Sequence, residues 1–258
     1  MRVNTLKRAA VAFALALPGA AIATVVAAPA AYADGCYTWN RTLSQGRSGD
    51  DVRQLQIRVA GWAAYRDIVR VDGIYGPETA AAVRRFQAAY GLRVDGIAGP
   101  QTFAKIYDLQ DNDCTPKHFS YSELDNGCGV GGWSGGPLSA TATREKAVRT
   151  MWKLEALRRS LGDKPLYVTS GFRSIACNRQ VGGASDSQHL YGNAADIHSG
   201  TSSLCQVARS ARYHGFSGLY GPGYPDHNNH VHVDSRRENN SDKTSNTTSW
   251  SAPTCGVS

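Results

Sequence analysis

The chain has 258 residues, of which 41% are hydrophobic and 19% are charged. This composition is typical of a globular protein and excludes wholesale disorder, and the length allows one or two domains. The 28 lysines and arginines outnumber the 21 aspartates and glutamates by 7, a basic excess that would suit an anionic partner such as a nucleic acid.

The first 33 residues have the parts of a secretory signal peptide. Arg2, Lys7 and Arg8 form a basic start, an Ala-rich apolar stretch follows, and Ala31-Tyr32-Ala33 supplies a small-x-small cleavage pattern. A retained membrane anchor is the alternative. Cleavage after residue 33 would leave 25 basic against 21 acidic residues. The sequence therefore predicts a secreted protein with no membrane attachment after cleavage, and the smaller excess of positive charge weakens the nucleic-acid interpretation.

All six cysteines follow the predicted cleavage point. An even number in a secreted chain indicates three disulfides, for which 15 pairings are possible. No C-x-x-C pattern occurs, which disfavours a structural zinc knuckle. The division into the two modules described below favours the pairs Cys36–Cys114, Cys128–Cys177 and Cys205–Cys255.

Residues 71–79 and 94–102 contain the same pattern, V-D-G-I-x-G-P-x-T, at an offset of 23 residues. Each copy combines a glycine turn with a Gly-Pro pair that suits a helix start, since proline lacks only an N–H that the first helical position does not use. Apolar residues at helical spacing precede the first copy and follow both copies. The pattern predicts three short helices within about residues 42–110.

The doubled turn resembles the peptidoglycan-binding domain that is built as a three-helix repeat, the PGRP-like or type 1 domain. The resemblance implies a noncatalytic cell-wall anchor, here placed at residues 34–114 because Cys36 and Cys114 bracket the repeat. A generic small helical bundle is the alternative, since repeats report architecture more directly than function.

Glycines cluster within residues 111–140. Such a segment is either a linker between domains or the glycine-rich rim of a substrate cleft, and the sequence leaves both open.

Residues 115–258 are predicted to form an α+β domain. Apolar spacing predicts a long helix over about Thr143–Leu161 and a second over about Leu204–His214. Strands are expected at Leu166–Ser170, Ala194–His198 and Val231–Asp234, forming a central antiparallel sheet. The Ser/Thr/Asn-rich segment Ser241–Ser251 is predicted to be an exposed loop.

Histidines and an aspartate concentrate in two short segments of this domain. His189 and Asp196 are separated by a turn at Gly192 and would converge if the turn leads into a strand. His230 and His232 would share one face of a strand. Imidazoles and a carboxylate around one cation, with a fourth position open, form the pattern of a catalytic zinc site.

The arrangement Ser-x-His-x-x-Gly-x-Ala-x-Asp followed by His-x-His resembles the zinc D-Ala-D-Ala carboxypeptidases, part of a metallopeptidase group shared with lysostaphin-type endopeptidases and hedgehog. The first element runs from Ser187 to Asp196 with every motif position kept. The resemblance implies that His189, Asp196 and His232 hold one Zn²⁺, with His230 as a neighbouring catalytic or second-layer histidine.

The same resemblance implies roles for three further residues. Arg173 follows a predicted strand and would hold a substrate carboxylate, a role that suits the planar, two-pronged guanidinium. His227 would polarise the reacting carbonyl or stabilise the oxyanion, and Ser187 would contact substrate.

Asn229 departs from the family pattern. Family members carry Asp or Glu three residues before the last zinc ligand, as the general base, and an amide cannot accept that proton. Losing a general base typically costs about 10²–10⁴-fold in rate. Three explanations stay open: a nearby group acts as the base, the zinc alone activates water, or the protein mainly binds wall peptides. The nearby candidates are Asp226, His227, His230 and Asp234.

The sequence thus predicts a secreted or wall-associated zinc D-Ala-D-Ala carboxypeptidase, which removes the terminal D-Ala of peptidoglycan stem peptides and acts as a monomer without nucleic acid. Two alternatives are an endopeptidase that cuts an internal stem or cross-bridge bond, and a wall-binding protein with a weakened zinc site.

Overall fold

A computed structural model of the protein describes residues 36–125, 132–238 and 248–258. The predicted signal peptide and Cys128 lie outside these ranges, so the predictions made for them stay predictions. Within the described ranges there are seven α-helices and five β-strands. None of these helices is both long and apolar enough to cross a membrane.

The N-terminal part of the described chain contains the three predicted helices. They are α1 (Asp50–Val59), α2 (Pro77–Ala89) and α3 (Pro100–Leu109). The prolines of the two repeat copies are the first residues of α2 and α3, as the Gly-Pro pattern predicts. Their apolar faces pack together into one hydrophobic cluster.

A buried glutamine holds each copy of the repeated turn. The side-chain amide of Gln87 donates to the Asp95 carboxylate at 2.9 Å and to the Ile97 carbonyl at 3.0 Å. Its Oε1 accepts the backbone N–H of Gly96 at 2.9 Å. Gln56 makes the equivalent hydrogen bonds to the first copy. Each turn therefore depends on a side chain from the helix that precedes it.

The C-terminal part is an α+β fold, as predicted. Its helices are α4 (Tyr121–Leu124), α5 (Ala140–Ser160), α6 (Ile175–Gln180) and α7 (Leu204–Ala211). Its strands are β1 (Leu166–Ser170), β2 (Ala194–Ser199), β3 (Gly218–Tyr220), β4 (Val231–Asp234) and β5 (Ser249–Ser251), in the sheet order β1-β2-β4-β3-β5. A wholly antiparallel sheet was expected, but the sheet is mixed. The strand that follows β4, β5, lies parallel to β3.

One face of the sheet is covered by helices and the other carries polar side chains. Ala195 and Ile197 of β2, with Val231 and Val233 of β4, belong to a hydrophobic cluster that includes residues of α5 and α7. Because side chains alternate along a strand, the intervening residues of β2 and β4 project from the opposite face. That face holds the site described below.

The prediction of an exposed loop at Ser241–Ser251 is wrong for its C-terminal end. Residues 249–251 form β5, and Trp250 is buried in the core of the sheet domain. Residues 239–247 lie outside the described ranges. Burial of so large an apolar side chain favours an edge strand here despite the poor strand propensity of its polar neighbours.

The structure contains the disulfides Cys36–Cys114 and Cys205–Cys255. Cys177 is also disulfide-bonded. The predicted partner of Cys177, Cys128, lies outside the described residues.

The two modules share a packed junction along α5. Trp152 and Ala156 of α5 lie in the hydrophobic cluster of the N-terminal helices. Gly61 allows the approach, because a Cβ there would lie only 2.6 Å from the Cβ of Ala156 and 2.8 Å from the Cα of Lys153. All the described residues belong to one compact unit, so the division into 34–114 and 115–258 stays a prediction.

His214 bridges the junction with both ring nitrogens. Its Nδ1–H donates to the Gly61 carbonyl at 2.8 Å, and its Nε2 lies 2.9 Å from Oγ of Ser160. Burial lowers the pKa of His214 to about 4, although the bond to Gly61 acts in the opposite direction. The neutral ring is therefore the form that fits the junction.

Replacing Gln87 with Leu is expected to destabilise the protein. The substitution keeps a side chain of similar size but leaves the backbone N–H groups of Asp95 and Gly96 without their acceptor, and each buried unsatisfied group costs about 1–3 kcal/mol. Urea unfolding monitored by circular dichroism measures the loss. Gln101→Leu, at an exposed position of α3, is the matched control, and equal stability of the two variants would contradict the role of Gln87.

Stability is expected to fall as the pH drops from about 6.5 to about 4, because His214 is neutral in the folded protein and takes up a proton once unfolded. The depressed pKa of His214 corresponds to a decrease of about 3 kcal/mol in the free energy of unfolding across this pH window. His214→Gln should remove that component of the pH dependence, measured as the difference from wild type in the free energy of unfolding. Ser160→Ala, which keeps the imidazole, should retain it; a pH profile of His214→Gln parallel to wild type would refute the assignment.

Candidate metal centre

The register of two strands brings the predicted ligands together. Asp196 of β2 lies directly opposite His232 of β4 in the antiparallel pair. His189 belongs to a short 3-10 turn, Gln188–Tyr191, that ends at Gly192 and leads into β2. Gly192 has φ of +72°, and a Cβ there would lie 2.6 Å from the carbonyl oxygen of Thr143. Only glycine suits this turn, which directs His189 back over the strand.

The three side chains converge on one point. Nε2 of His189 lies 3.2 Å from Oδ1 of Asp196 and 3.1 Å from Nδ1 of His232. Nδ1 of His232 lies 2.8 Å from the same carboxylate oxygen. All three residues are buried, and within the described ranges they form the one group of histidine, cysteine and acidic side chains with ligand atoms this close together.

The outer nitrogens of both histidines are already engaged. Nδ1–H of His189 donates to the carbonyl of Gly171 at 2.6 Å, and Nε2–H of His232 donates to the Asp234 carboxylate at 3.0 Å. In the neutral tautomers that these bonds select, both inner nitrogens present lone pairs beside a carboxylate. Two nitrogens and one oxygen facing each other in this way fit a cation, and this donor set is one that Zn²⁺ uses in catalytic sites.

The electrostatics of the pocket favour positive charge. Burial disfavours the ionised form of Asp196, but attraction to His189 and His232 and its hydrogen bonds to them outweigh burial and hold its pKa well below the usual range. Burial likewise opposes a charge on His232, yet the bonds to Asp196 and Asp234 raise its pKa to about 9. A metal ion at this point would replace the proton that these carboxylates attract.

Asp234 supports His232 from the far side. Its carboxylate is fully buried and is also bound by Arg236, whose Nε lies 3.0 Å from Oδ1. Since both partners occupy this carboxylate, Asp234 orients the predicted ligand His232, and these contacts disfavour it as the general base. Asp226, another candidate for the base, is exposed.

Arg173 contacts the ligand group itself. Its Nη2 lies 2.8 Å from Oδ2 of Asp196, and its Nε donates to Oγ of Ser170 at 2.9 Å. These bonds leave Oδ1 of Asp196 facing the histidines. Nε and one Nη2 hydrogen are thus occupied, and the predicted grip on a substrate carboxylate would use the Nη1 edge of the guanidinium.

His230 and Asn229 form a hydrogen-bonded pair at the edge of the site. Nδ1–H of His230 donates to Oδ1 of Asn229 at 2.8 Å, and Nε2 of His230 lies 3.7 Å from Oδ1 of Asp196. The pair therefore directs the unprotonated nitrogen of His230 toward the ligand group.

His227 is brought to the same site, whereas Ser187 makes no comparable contact. The ring of His227 is centred 4.7 Å from that of His230 and 6.0 Å from that of His232, and its Nδ1–H donates to the Pro225 carbonyl at 2.6 Å. Ser187 is half-buried before the 3-10 turn. Its hydroxyl makes no hydrogen bond to another residue in the described part of the chain, so its substrate role stays a prediction.

The described end of the glycine-rich stretch belongs to the rim of the site. A Cβ at Gly136 would lie 2.5 Å from the carbonyl oxygen of Leu190, and the ring of Trp133 is centred 5.7 Å from that of Phe172. Phe172 and Leu190 are the neighbours of Arg173 and His189. These contacts favour the interpretation that residues 132–137 form the rim of a substrate cleft over the interpretation that they are a linker between domains.

The positioning groups around the ligands were missed from the sequence. Asp234 is two residues beyond His232 on a predicted strand, so the alternation of side chains could have placed both on one face. The carbonyl of Gly171 carries no signal in the sequence.

Two family models and several relatives match the chain. A Peptidase M15 model matches residues 117–234, and a peptidoglycan binding domain model matches residues 48–106. The zinc D-Ala-D-Ala carboxypeptidase of Streptomyces albus G is 52% identical, with 94% of this chain and 96% of the relative covered.

Two further similarities cover only part of the chain. The N-acetylmuramoyl-L-alanine amidase CwlA of Bacillus subtilis strain 168 is 49% identical over 65 residues, 24% of each protein. The crystal structure of the SleB N-terminal domain is 35% identical with a TM-score of 0.25, and the match covers 28% of this chain and 96% of that chain.

The near full-length identity and the M15 match agree with the motifs and with the His189, Asp196 and His232 geometry. The chain belongs to the zinc D-Ala-D-Ala carboxypeptidase family, zinc metallopeptidases of the M15 group, and carries an additional peptidoglycan-binding domain.

Proposed function

We propose that the protein is a secreted D-alanyl-D-alanine carboxypeptidase, which hydrolyses the last peptide bond of peptidoglycan stem peptides while its N-terminal domain holds the wall. The observation that carries the proposal is the convergence of His189, Asp196 and His232 with their outer nitrogens already bonded. Three protein ligands leave a fourth position for a reacting group, which distinguishes a catalytic site from a structural one.

Zinc, when bound by His189, Asp196 and His232, supplies a Lewis acid for the scissile carbonyl and lowers the pKa of water. The protein supplies orientation. Arg173 holds Asp196 through Nη2, so its remaining Nη1 donors are the ones that can receive the terminal carboxylate of the peptide. The peptide's carboxyl end would then lie beside the ligand group, with its last peptide bond within reach.

The general base is proposed to be His230. Asn229 cannot accept a proton, but its amide oxygen takes the Nδ1–H of His230 and leaves Nε2 free to receive the proton of the attacking water. His230 would then deliver that proton to the departing amine of D-alanine. The Asn229 amide would thus compensate for the missing acidic base by orienting His230 to act as the base.

His227 would stabilise the oxyanion only as a doubly protonated ring. Its Nδ1–H is committed to the Pro225 carbonyl, so a second proton on Nε2 is needed for donation to the developing charge. Its ring lies edge-on to Tyr220 and Tyr224, and these contacts fix its direction.

Removal of zinc is expected to abolish release of D-alanine, and stoichiometric zinc is expected to restore it. The assay follows free D-alanine from a peptide ending in D-Ala-D-Ala, with the same peptide amidated at its C-terminus as the matched control. The amidated peptide should react much more slowly because Arg173 has no carboxylate to receive. Turnover that survives chelation would refute the metal mechanism, and equal cleavage of the amidated peptide would favour an endopeptidase.

His230→Gln is expected to lower kcat by about 10²–10⁴-fold while the zinc content stays near one per chain. Asn229→Asp keeps an acceptor for Nδ1–H and should change kcat by less than about tenfold, a limit set by the same scale for a lost or gained base. Steady-state kinetics and metal analysis of both variants test this. A gain of two orders of magnitude in Asn229→Asp would show that the wild type lacks a base and would overturn the role of His230.

A further inference from the structure

A cavity of about 300 Å³ lies at the junction of the two modules, apart from the metal centre. Helix α1 contributes one wall and the N-terminal half of α5 contributes another, with Tyr121 of α4 between them. Three arginines line it, two from α1 and one from α5: Arg53, Arg58 and Arg144. Neither the proposed reaction nor the repeated turn uses any of them.

Arg58 is a buried cation whose partners are all neutral. Its side chain donates through Nε and Nη2 to Oε1 of Gln110, at 3.0 and 2.9 Å, and through Nη1 to Oε1 of Gln54 at 2.6 Å. Trp39 lies over its guanidinium at 5.4 Å. No carboxylate of the described chain comes within salt-bridge distance. Burial lowers the pKa of Arg58 to about 10, as expected for a charge removed from water without a counter-charge.

Arg144 also lacks an acidic partner within the described ranges. It is exposed, and its Cζ lies 3.9 Å from the ring centre of Tyr121, close enough for a cation–π interaction. The third arginine, Arg53, pairs with Glu145 at 3.3 Å, and both of these side chains are largely exposed. The cavity therefore has three guanidinium groups and one carboxylate among its lining residues.

We propose that this junction cavity binds an anionic group, a carboxylate or a phosphate carried on a sugar or polyol of the cell wall. Guanidinium groups are the side chains best suited to these oxyanions, since their planar donors match both geometries. The ring of Tyr121 and the side chains of Ile57 and Val148 give the carrier of the anion an apolar wall. The assignment of the ligand to the wall rests on the proposed function, whereas the preference for an anion rests on the arginines alone.

An anion in this cavity would touch both modules at once. Arg58 belongs to the N-terminal helices and Arg144 to α5, so a bound anion would neutralise charge on both sides of the junction. The consequence is a wall contact that is independent of the repeated turn and separate from the peptide that is cut.

Calorimetric titration of the full-length, zinc-loaded protein tests the proposal with three probes. N-acetylmuramic acid offers a carboxylate, glycerol 3-phosphate offers a phosphate, and N-acetylglucosamine is the neutral control. Saturable binding of at least one anion but not of the neutral sugar is expected, and the anion that binds more tightly identifies the source. Arg144→Gln should weaken that binding about tenfold or more, the usual loss for a hydrogen bond to a charged group.

Arg93→Gln, at a highly exposed arginine outside the cavity, is the matched control and should bind like wild type. Equal weakening in both variants would show that general surface charge causes the effect and would overturn the proposal. Equal binding of N-acetylglucosamine, or no binding of either anion, would also overturn it. Release of D-alanine from a soluble peptide should be unchanged in Arg144→Gln. An inactive wild type would refute the proposed function without bearing on the titration.

Discussion

The pairing register of β2 and β4 is the constraint on which the rest of the site depends. The same alternation that buries Ala195 and Val233 in the core places Asp196 and His232 on the open face, opposite one another. A slip of one residue would exchange the two sets, because the side-chain period of a strand is two. The apolar core and the predicted metal ligands are therefore specified together, and neither can shift without the other.

This register also produces a line of hydrogen-bonded side chains across the open face, in which carboxylates alternate with nitrogen-bearing groups. Arg236 binds Asp234, Asp234 binds His232, His232 binds Asp196, and Asp196 binds Arg173. Each buried carboxylate has partners on both sides, so removing either neighbour would leave charge in a low-dielectric environment. Such a network holds the ligands in one geometry before any metal or substrate arrives.

The features that could be predicted from sequence are those with a local signature. The Gly-Pro helix starts, the long helix and three of the five strands follow from spacing and turn residues, and the His and Asp motif contains the three side chains that converge. Strands β3 and β5 were missed because each has only three residues, too few to show alternation. The direction of β5 depends on how the chain returns after β4, which no pattern encodes.

Polar residues with buried roles were also beyond sequence reasoning. Gln56 and Gln87 look like ordinary polar positions on amphipathic helices, yet they organise the repeated turns. Arg58 has the appearance of a solvated basic residue in the last turn of α1, but Gln110, more than fifty positions away, covers it. The contact between Arg173 and Asp196 joins two motifs that were interpreted separately.

The close packing at Gly61 has a consequence for how the enzyme would search its polymer. A flexible tether would raise the local concentration of the active site over a sphere of possible targets. Here α5 contributes side chains to both cores, so the peptidoglycan-binding domain packs directly against the domain that holds the metal centre. Attachment to the wall would then set both the distance and the angle at which the cleft meets the polymer. The spacing of stem peptides along the polymer would decide which of them a bound molecule can reach.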